Sequence, residues 1–184
     1  MRSFIAVDIN NEEILSKIEV FKEQLENFKV KLKLVETENL HITLRFLGEI
    51  DDSYVNIIKD SILGQIKYNS FIIKLEGLGA FPSINKARVV WIGITQGFEH
   101  LKQIKNMIDQ LLIKSGFKLE KEDFTPHLTI ARVKSYPTGE LKEFLQNYLN
   151  YEIGLQNINS IKLKKSTLTR QGPIYEDIAE VKLI

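Results

Sequence analysis

Two of the three histidines in this chain stand in the same short pattern. His41-Ile42-Thr43-Leu44 and His127-Leu128-Thr129-Ile130 each set an imidazole and a hydroxyl two residues apart within an apolar run. Runs of this kind form strands, whose side chains alternate between faces. His41 and Thr43 then share one face, opposite Ile42 and Leu44, and His127 and Thr129 share one opposite Leu128 and Ile130. If the aliphatic faces pack under helices, both polar pairs stand on open sheet faces, and two lobes folded together bring them into one cleft. Imidazoles exchange protons near neutral pH, and threonine hydroxyls donate hydrogen bonds to oxyanions. Such a site suits in-line displacement at phosphorus. One imidazole takes a proton from the attacking water, the other gives one to the departing sugar oxygen, and the hydroxyls hold the non-bridging oxygens. That chemistry calls for neither a metal ion nor a cofactor.

A lone histidine–threonine pair in a strand usually means a half-buried, hydrogen-bonded histidine. The second copy, at an equivalent place in a repeated order of elements, is what favours a functional pair. His100 has no threonine two residues on and falls at the start of a helix, where it reads as a solvated surface residue. Strict alternation turns Phe46 and Arg132, each five residues after a motif histidine, away from the cleft, which favours packing for the first and a surface role for the second. Trp91 in Val89-Val90-Trp91-Ile92 reads as core, and Lys162-Leu163-Lys164-Lys165 as an exposed strand face.

The elements that must position the pairs repeat in order. Phe4 to Ile9 reads as a strand, and Asn10-Asn11-Glu12-Glu13 as a helix start with carboxylates at its positive end. Ile14, Ile18, Phe21, Leu25 and Phe28 then recur at helical spacing. Lys33 to Val35 and the His41 run, stopped by Gly48, are strands; Asp51-Asp52 opens a helix with Val55, Ile58, Ile62 and Ile66 on one face; Phe71 to Leu78 is a further strand. Gly77 to Pro82 has the composition of a loop and marks the boundary between halves. The second half follows suit, with a strand from Ala87 to Thr95, a helix carrying Leu101, Ile104, Ile108, Leu111 and Leu112 that ends near Gly116, the His127 strand, and a helix opened by Pro137-Thr138 with Leu141, Phe144, Leu145 and Tyr148 inward. Ile158 to Leu168 and Tyr175 to Ile184 form a hairpin across Gln171-Gly172-Pro173. The expected fold is α+β, a single domain over residues 1–184 made of two pseudo-symmetric lobes, with two antiparallel sheets facing a central cleft and helices on the outer faces. Terminal strands could swap between the lobes.

Composition bounds the rest. Twenty-five Lys and Arg against twenty-four Asp and Glu leave a formal charge of +1, so the chain as a whole demands no polyanion, although a local basic cluster would vanish in that sum. The absence of cysteine excludes disulfides, thiolate metal sites and a cysteine nucleophile. Arg2-Ser3-Phe4-Ile5-Ala6-Val7-Asp8 is too short and too soon charged for a secretory or membrane segment, so a cytoplasmic monomer is expected.

The doubled motif, with Phe124-Thr125-Pro126 before the second histidine, resembles that of the two-histidine (2H) phosphoesterase superfamily, in its prokaryotic RNA 2′,3′-cyclic phosphodiesterase branch, also described as 2′-5′ RNA ligases. The likeness runs nearly end to end, through Arg2-Ser3-Phe4-Ile5-Ala6, Arg88-Val89-Val90-Trp91-Ile92-Gly93, Ser166-Thr167-Leu168 and Gly172-Pro173-Ile174-Tyr175. One departure is Ala87, where a proline often precedes the arginine matching Arg88. The resemblance implies hydrolysis of terminal 2′,3′-cyclic phosphates to 2′-phosphomonoesters without a metal, with ligation to 2′-5′ linkages as the reverse reaction. It implies His41 as proton donor, His127 as proton acceptor, Thr43 and Thr129 on the phosphate, and Phe46, Arg132 and Tyr175 as further substrate contacts. For Phe46 and Arg132 that conflicts with strict alternation, and a bulge or a strand end near those positions would reconcile the two. RNA ends bearing cyclic phosphate, tRNA fragments among them, are the implied partners. A phosphodiesterase for 2′-5′ oligonucleotides or small cyclic phosphates, and a non-catalytic RNA-end binding module, are the alternatives that use the same residues.

Overall fold

The computed structural model describes residues 1–136 and 139–184; the expected helix start at Pro137 and Thr138 lies outside them. The strands are β1 (Arg2–Asp8), β2 (Leu32–Leu34), β3 (His41–Glu49), β4 (Phe71–Phe81), β5 (Val89–Gln96), β6 (His127–Val133), β7 (Glu152–Ile158), β8 (Ser160–Thr169) and β9 (Gly172–Lys182). The helices are α1 (Glu12–Glu26), α2 (Val55–Ile57), α3 (Phe98–Lys114) and α4 (Gly139–Asn147). α2 is one turn of a longer irregular helix: 3-10 turns at Asp52–Tyr54 and Leu63–Gln65 and a π turn at Ile58–Ile62 extend it. The whole stretch buries Ile58, Ile62 and Ile66, as their spacing predicts.

Two antiparallel sheets result, in the orders β3-β1-β8-β9 and β2-β6-β5-β4-β7, so the fold is α+β as expected. Sheet membership does not follow chain order. β2 and β4 come from the first half of the sequence yet lie beside β6 and β5, while the β8–β9 hairpin joins the sheet begun by β1. Helices cross over in the same way. α1 packs on β7 and β2, and α3 packs on β3 as well as β5. α1 is started by Asn11, whose side-chain oxygen accepts from the Ile14 amide, with Glu12 and Glu13 in the first turn. Its stripe of Ile14, Ile18, Phe21 and Leu25 is buried, each side chain contributing roughly 1.5–3 kcal/mol of transfer free energy.

Two expectations are corrected. Gly77 to Pro82 is not a loop between halves, because β4 runs through Phe81, paired to β5 from Leu78↔Ile92 to Phe81↔Val89. Its glycines serve close packing: a Cβ on Gly79 would lie 2.3 Å from the Trp91 ring, and one on Gly77, at φ +82, would lie 2.2 Å from the Leu149 carbonyl oxygen. Strand β7 was not expected at all. Gly154 interrupts its alternation, and buried Gln156 occupies a core position because its Oε1 accepts from the Asn10 and Asn11 amides at the head of α1.

Candidate active site

β3 and β6 do what alternation requires of their first residues. Ile42 and Leu44, and Leu128 and Ile130, are buried, whereas His41, Thr43, His127 and Thr129 are half-buried and line one cleft of about 930 Å³. Phe46, Arg132 and Tyr175 line the same cleft, so all seven residues that the resemblance implies for the site reach it.

Both imidazoles are held by the same device. His41 Nδ1 lies 2.7 Å from the Asn39 carbonyl oxygen, and His127 Nδ1 lies 2.8 Å from that of Thr125, in each case two residues upstream. A carbonyl can only accept, so Nδ1 carries the hydrogen and Nε2 is the atom left to gain or lose a proton. On His41 that atom lies 3.0 Å from Thr43 Oγ1. Nothing in side-chain pattern announces Asn39 and Thr125 for this part, since the backbone supplies the contact. Burial holds His41 below the usual histidine range; the Asn39 carbonyl opposes that shift, Lys164 adds to it, Asp8 opposes it and His127 adds to it. Aromatic rings wall both histidines: Phe4 and Tyr175 stand 4.9 and 5.3 Å from His41, and Phe81 stands 4.9 Å from His127. Burial also pushes the Tyr175 hydroxyl up, against the opposing charges of Arg132, Arg2 and Lys164, so it stays a donor near neutral pH.

Strict alternation fails after the threonines, and it fails identically in both strands. The register steps from Ala6↔Thr43 to Ile5↔Arg45, leaving Leu44 extra, and from Trp91↔Thr129 to Val90↔Ala131, leaving Ile130 extra. Each bulge inverts the facing of the residues after it. Phe46 therefore emerges 62% exposed at the cleft instead of in the core, and Arg132 joins it. Arg45, which unbroken alternation would send into the cleft, turns behind the sheet, 6% exposed, where Asp109 receives its Nε and Nη2 at 2.8 and 2.7 Å.

The mouth of the cleft is basic. Arg2, Lys33, Arg132, Lys134 and Arg170 line it against Glu36 and Glu49, a local excess that the near-neutral total conceals. Lys33 stands directly opposite Arg132 in the β2–β6 register, and its ammonium donates to the Gln171 carbonyl at the tip of the β8–β9 hairpin. Asn39 Nδ2 donates to the Pro173 carbonyl at 3.2 Å, tying that hairpin to the turn ahead of His41. Trp91 is not core as expected: it is half-buried, on the face of β5 opposite buried Val90 and Ile92, with its ring 5.2 Å from that of Phe81, whereas His100 is an exposed partner of Tyr68. The lysine run is not an exposed face as expected: Lys162 and Lys164 are ion-paired, and Lys164 is buried, because Asp8 and Asp177 meet them from neighbouring strands. Among the described residues no group of three or more His, Asp or Glu side chains is placed to hold a metal ion, and no helix is long and apolar enough to cross a membrane.

Two sheets bearing matched histidine–threonine strands across one cleft define the two-histidine phosphoesterase class. Residues 2–183 match the family model described as the AKAP7 2′5′ RNA ligase-like domain, and the chain belongs to that family. A relative from Methanocaldococcus jannaschii, described as an RNA 2′,3′-cyclic phosphodiesterase, is 44% identical over 182 residues, 98% of this chain and 99% of that one. One from Aeropyrum pernix with the same description is 39% identical over 170 residues, 92% of this chain and 96% of that one. The crystal structure of TT0787 of Thermus thermophilus superposes with a TM-score of 0.83 at 22% identity, covering 99% of this chain and 97% of the other, which supports the fold.

Proposed function

We propose that this chain is an RNA 2′,3′-cyclic phosphodiesterase acting by metal-free acid–base catalysis. The observation that carries the reading is the paired arrangement of His41 and His127, each with Nδ1 tied to a carbonyl two residues upstream and Nε2 left to exchange a proton. Water attacks phosphorus opposite the 3′ oxygen while His127 Nε2 takes its proton. The P–O3′ bond breaks, and His41 Nε2–H gives its proton to that oxygen, leaving a 2′-phosphomonoester and a free 3′-hydroxyl. Thr43 and Thr129 donate to the non-bridging oxygens, whose charge grows in the transition state. His41 is biased toward neutrality in the free protein, so the incoming phosphate anion must favour its protonated form. A 5′-hydroxyl in place of water gives a 2′–5′ linkage by the same two proton transfers. The basic mouth suits RNA ends, tRNA fragments included, and a monomer in the cytoplasm is sufficient, since one chain supplies the whole site.

The nucleotide next to the phosphate stacks on exposed Phe46, with Arg132 and Tyr175 beside it. Phe46→Ala is therefore expected to raise KM for a cyclic-phosphate-ended oligonucleotide by about tenfold, within the roughly 1–3 kcal/mol usual for a base on an aromatic ring, and to change kcat little. Steady-state kinetics on that substrate check this; an unchanged KM would return Phe46 to a bystander's role. EDTA is expected to leave turnover intact, and activity lost to EDTA and restored by a divalent ion would indicate different chemistry. The functional reading itself is tested by comparing turnover of cyclic-phosphate-ended RNA, a 2′,3′-cyclic mononucleotide and 2′-5′ oligoadenylate. The first should be preferred, whereas preference for the last would make it a 2′-5′ phosphodiesterase, and binding without turnover would make it an RNA-end binding module.

A further inference from the structure

Beside His41, the cleft-facing side of the four-stranded sheet carries four charges of alternating sign. Asp8 lies directly across from His41 in the β1–β3 register and takes the ammoniums of Lys162 and Lys164 at 2.7 and 2.9 Å. Asp177 on β9 takes the same two ammoniums at 2.8 and 2.7 Å. Lys164 is only 5% exposed. Of the four, Lys164 alone is withdrawn from water, Asp177 staying 46% exposed, and a buried charge is costly enough that an apolar residue in its place is often as stable or more so. Backbone ladders already join β1, β8 and β9, so sheet pairing gives no reason for it. Its neighbour is the reason that remains. We propose that Asp8 and Lys164 are positioning residues that act through His41, together setting the charge it carries as substrate arrives.

The two pull in opposite directions. A cation beside His41 disfavours its imidazolium and an anion favours it, as Lys164 and Asp8 respectively do, on top of the larger effect of burial. The other charged and titratable groups on this side are Arg2 on β1, Glu49 on β3, Lys162 on β8, Arg170 in the turn after it, and Tyr175 and Asp177 on β9. Facing them across the cleft are His127 and Arg132 on β6, Lys134 just after it, Lys33 on β2 and, ahead of β3, Glu36. Of these, Lys162 and Asp177 are locked to each other and to the same pair, so removing Asp8 or Lys164 unbalances the network toward opposite signs.

This rests on the reading that His41 exchanges a proton with substrate, and the test separates the two. NMR titration of the His41 ring in the wild type, Asp8→Asn, Lys164→Met and the double variant reads its protonation whether or not the enzyme turns over. Lys164→Met is expected to raise the midpoint by about half a unit or more, Asp8→Asn to lower it by a similar amount, and the double variant to return near the wild type. The His41 limb of the kcat/KM pH profile should move with it. Midpoints that stay put, or that both move the same way as a general loosening would make them, overturn the proposal. Should Asp8→Asn not fold, Lys164→Gln must still raise the midpoint on its own, or the proposal fails. Wild-type inactivity on cyclic phosphates would instead sink the functional reading and leave the titration standing.

Discussion

His41→Ala and His127→Ala should each lower turnover of a cyclic-phosphate-ended oligonucleotide by about 10²–10⁴-fold, the usual worth of one general acid or base. Neither loss should be repaired by the other histidine. Ring opening needs a proton taken at one end of the in-line axis and given at the other, and each imidazole is fixed to its own sheet by its Nδ1 contact. Folding should survive both changes. Both side chains are half-buried, and truncation forfeits one hydrogen bond to a carbonyl and, at His41, a second with Thr43, about 1 kcal/mol each. Circular dichroism and thermal melts establish the fold, and single-turnover rates establish the chemistry. Either variant turning over near the wild-type rate would show that its histidine moves no proton.

Arg45→Ala should be the most destabilising single change near the site, costing about 3 kcal/mol, the low end for breaking a buried ion pair because Lys105 remains to compensate. Arg45 binds Asp109 through two nitrogens and reaches Glu122 at 3.1 Å, while Lys105 bridges the same two carboxylates at 3.3 and 3.1 Å. Without the guanidinium, Asp109 and Glu122 share one cation behind β3. The clamp also holds α3 against the strand that carries His41, at the residue where the bulge reverses the strand's facing. Urea unfolding of Arg45→Ala and Arg45→Met checks this. Methionine, which fills the space, should cost less than alanine, and a loss below about 0.5 kcal/mol for alanine would mean the clamp contributes little.

The candidate site was legible where chemistry forces unusual residues into an ordinary pattern. Histidine and threonine interrupting a buried strand stand out, and their recurrence at His127 and Thr129 pointed to one cleft before any fold was known. The bulges were not legible in the residues themselves, and only the conflict between alternation and the resemblance hinted at them. Leu44 and Ile130 are ordinary apolar residues, and only pairing with β1 and β5 shows each to be one too many. Phe46 and Arg132 were thus misplaced by alternation and placed at the cleft by family resemblance. Helices were legible from their apolar stripes, whereas sheet membership was not, because nothing local in β2 or β4 tells which sheet they join. The Gly77–Pro82 stretch misled for a related reason: its glycines answer to Trp91 and Leu149, residues distant in sequence, rather than to a turn. Lys164 likewise looked like surface because its partners Asp8 and Asp177 come from other strands.

Product identity tests the proposed reaction most directly. An oligonucleotide ending in a 2′,3′-cyclic phosphate, incubated with the protein in EDTA, is expected to yield the 2′-phosphomonoester with a free 3′-hydroxyl and no 3′-phosphate isomer. A 3′-phosphate or a mixture of the two would contradict the 3′ oxygen as the leaving group opposite the attacking water, and an untouched cyclic end would contradict the exchange between His127 and His41 itself.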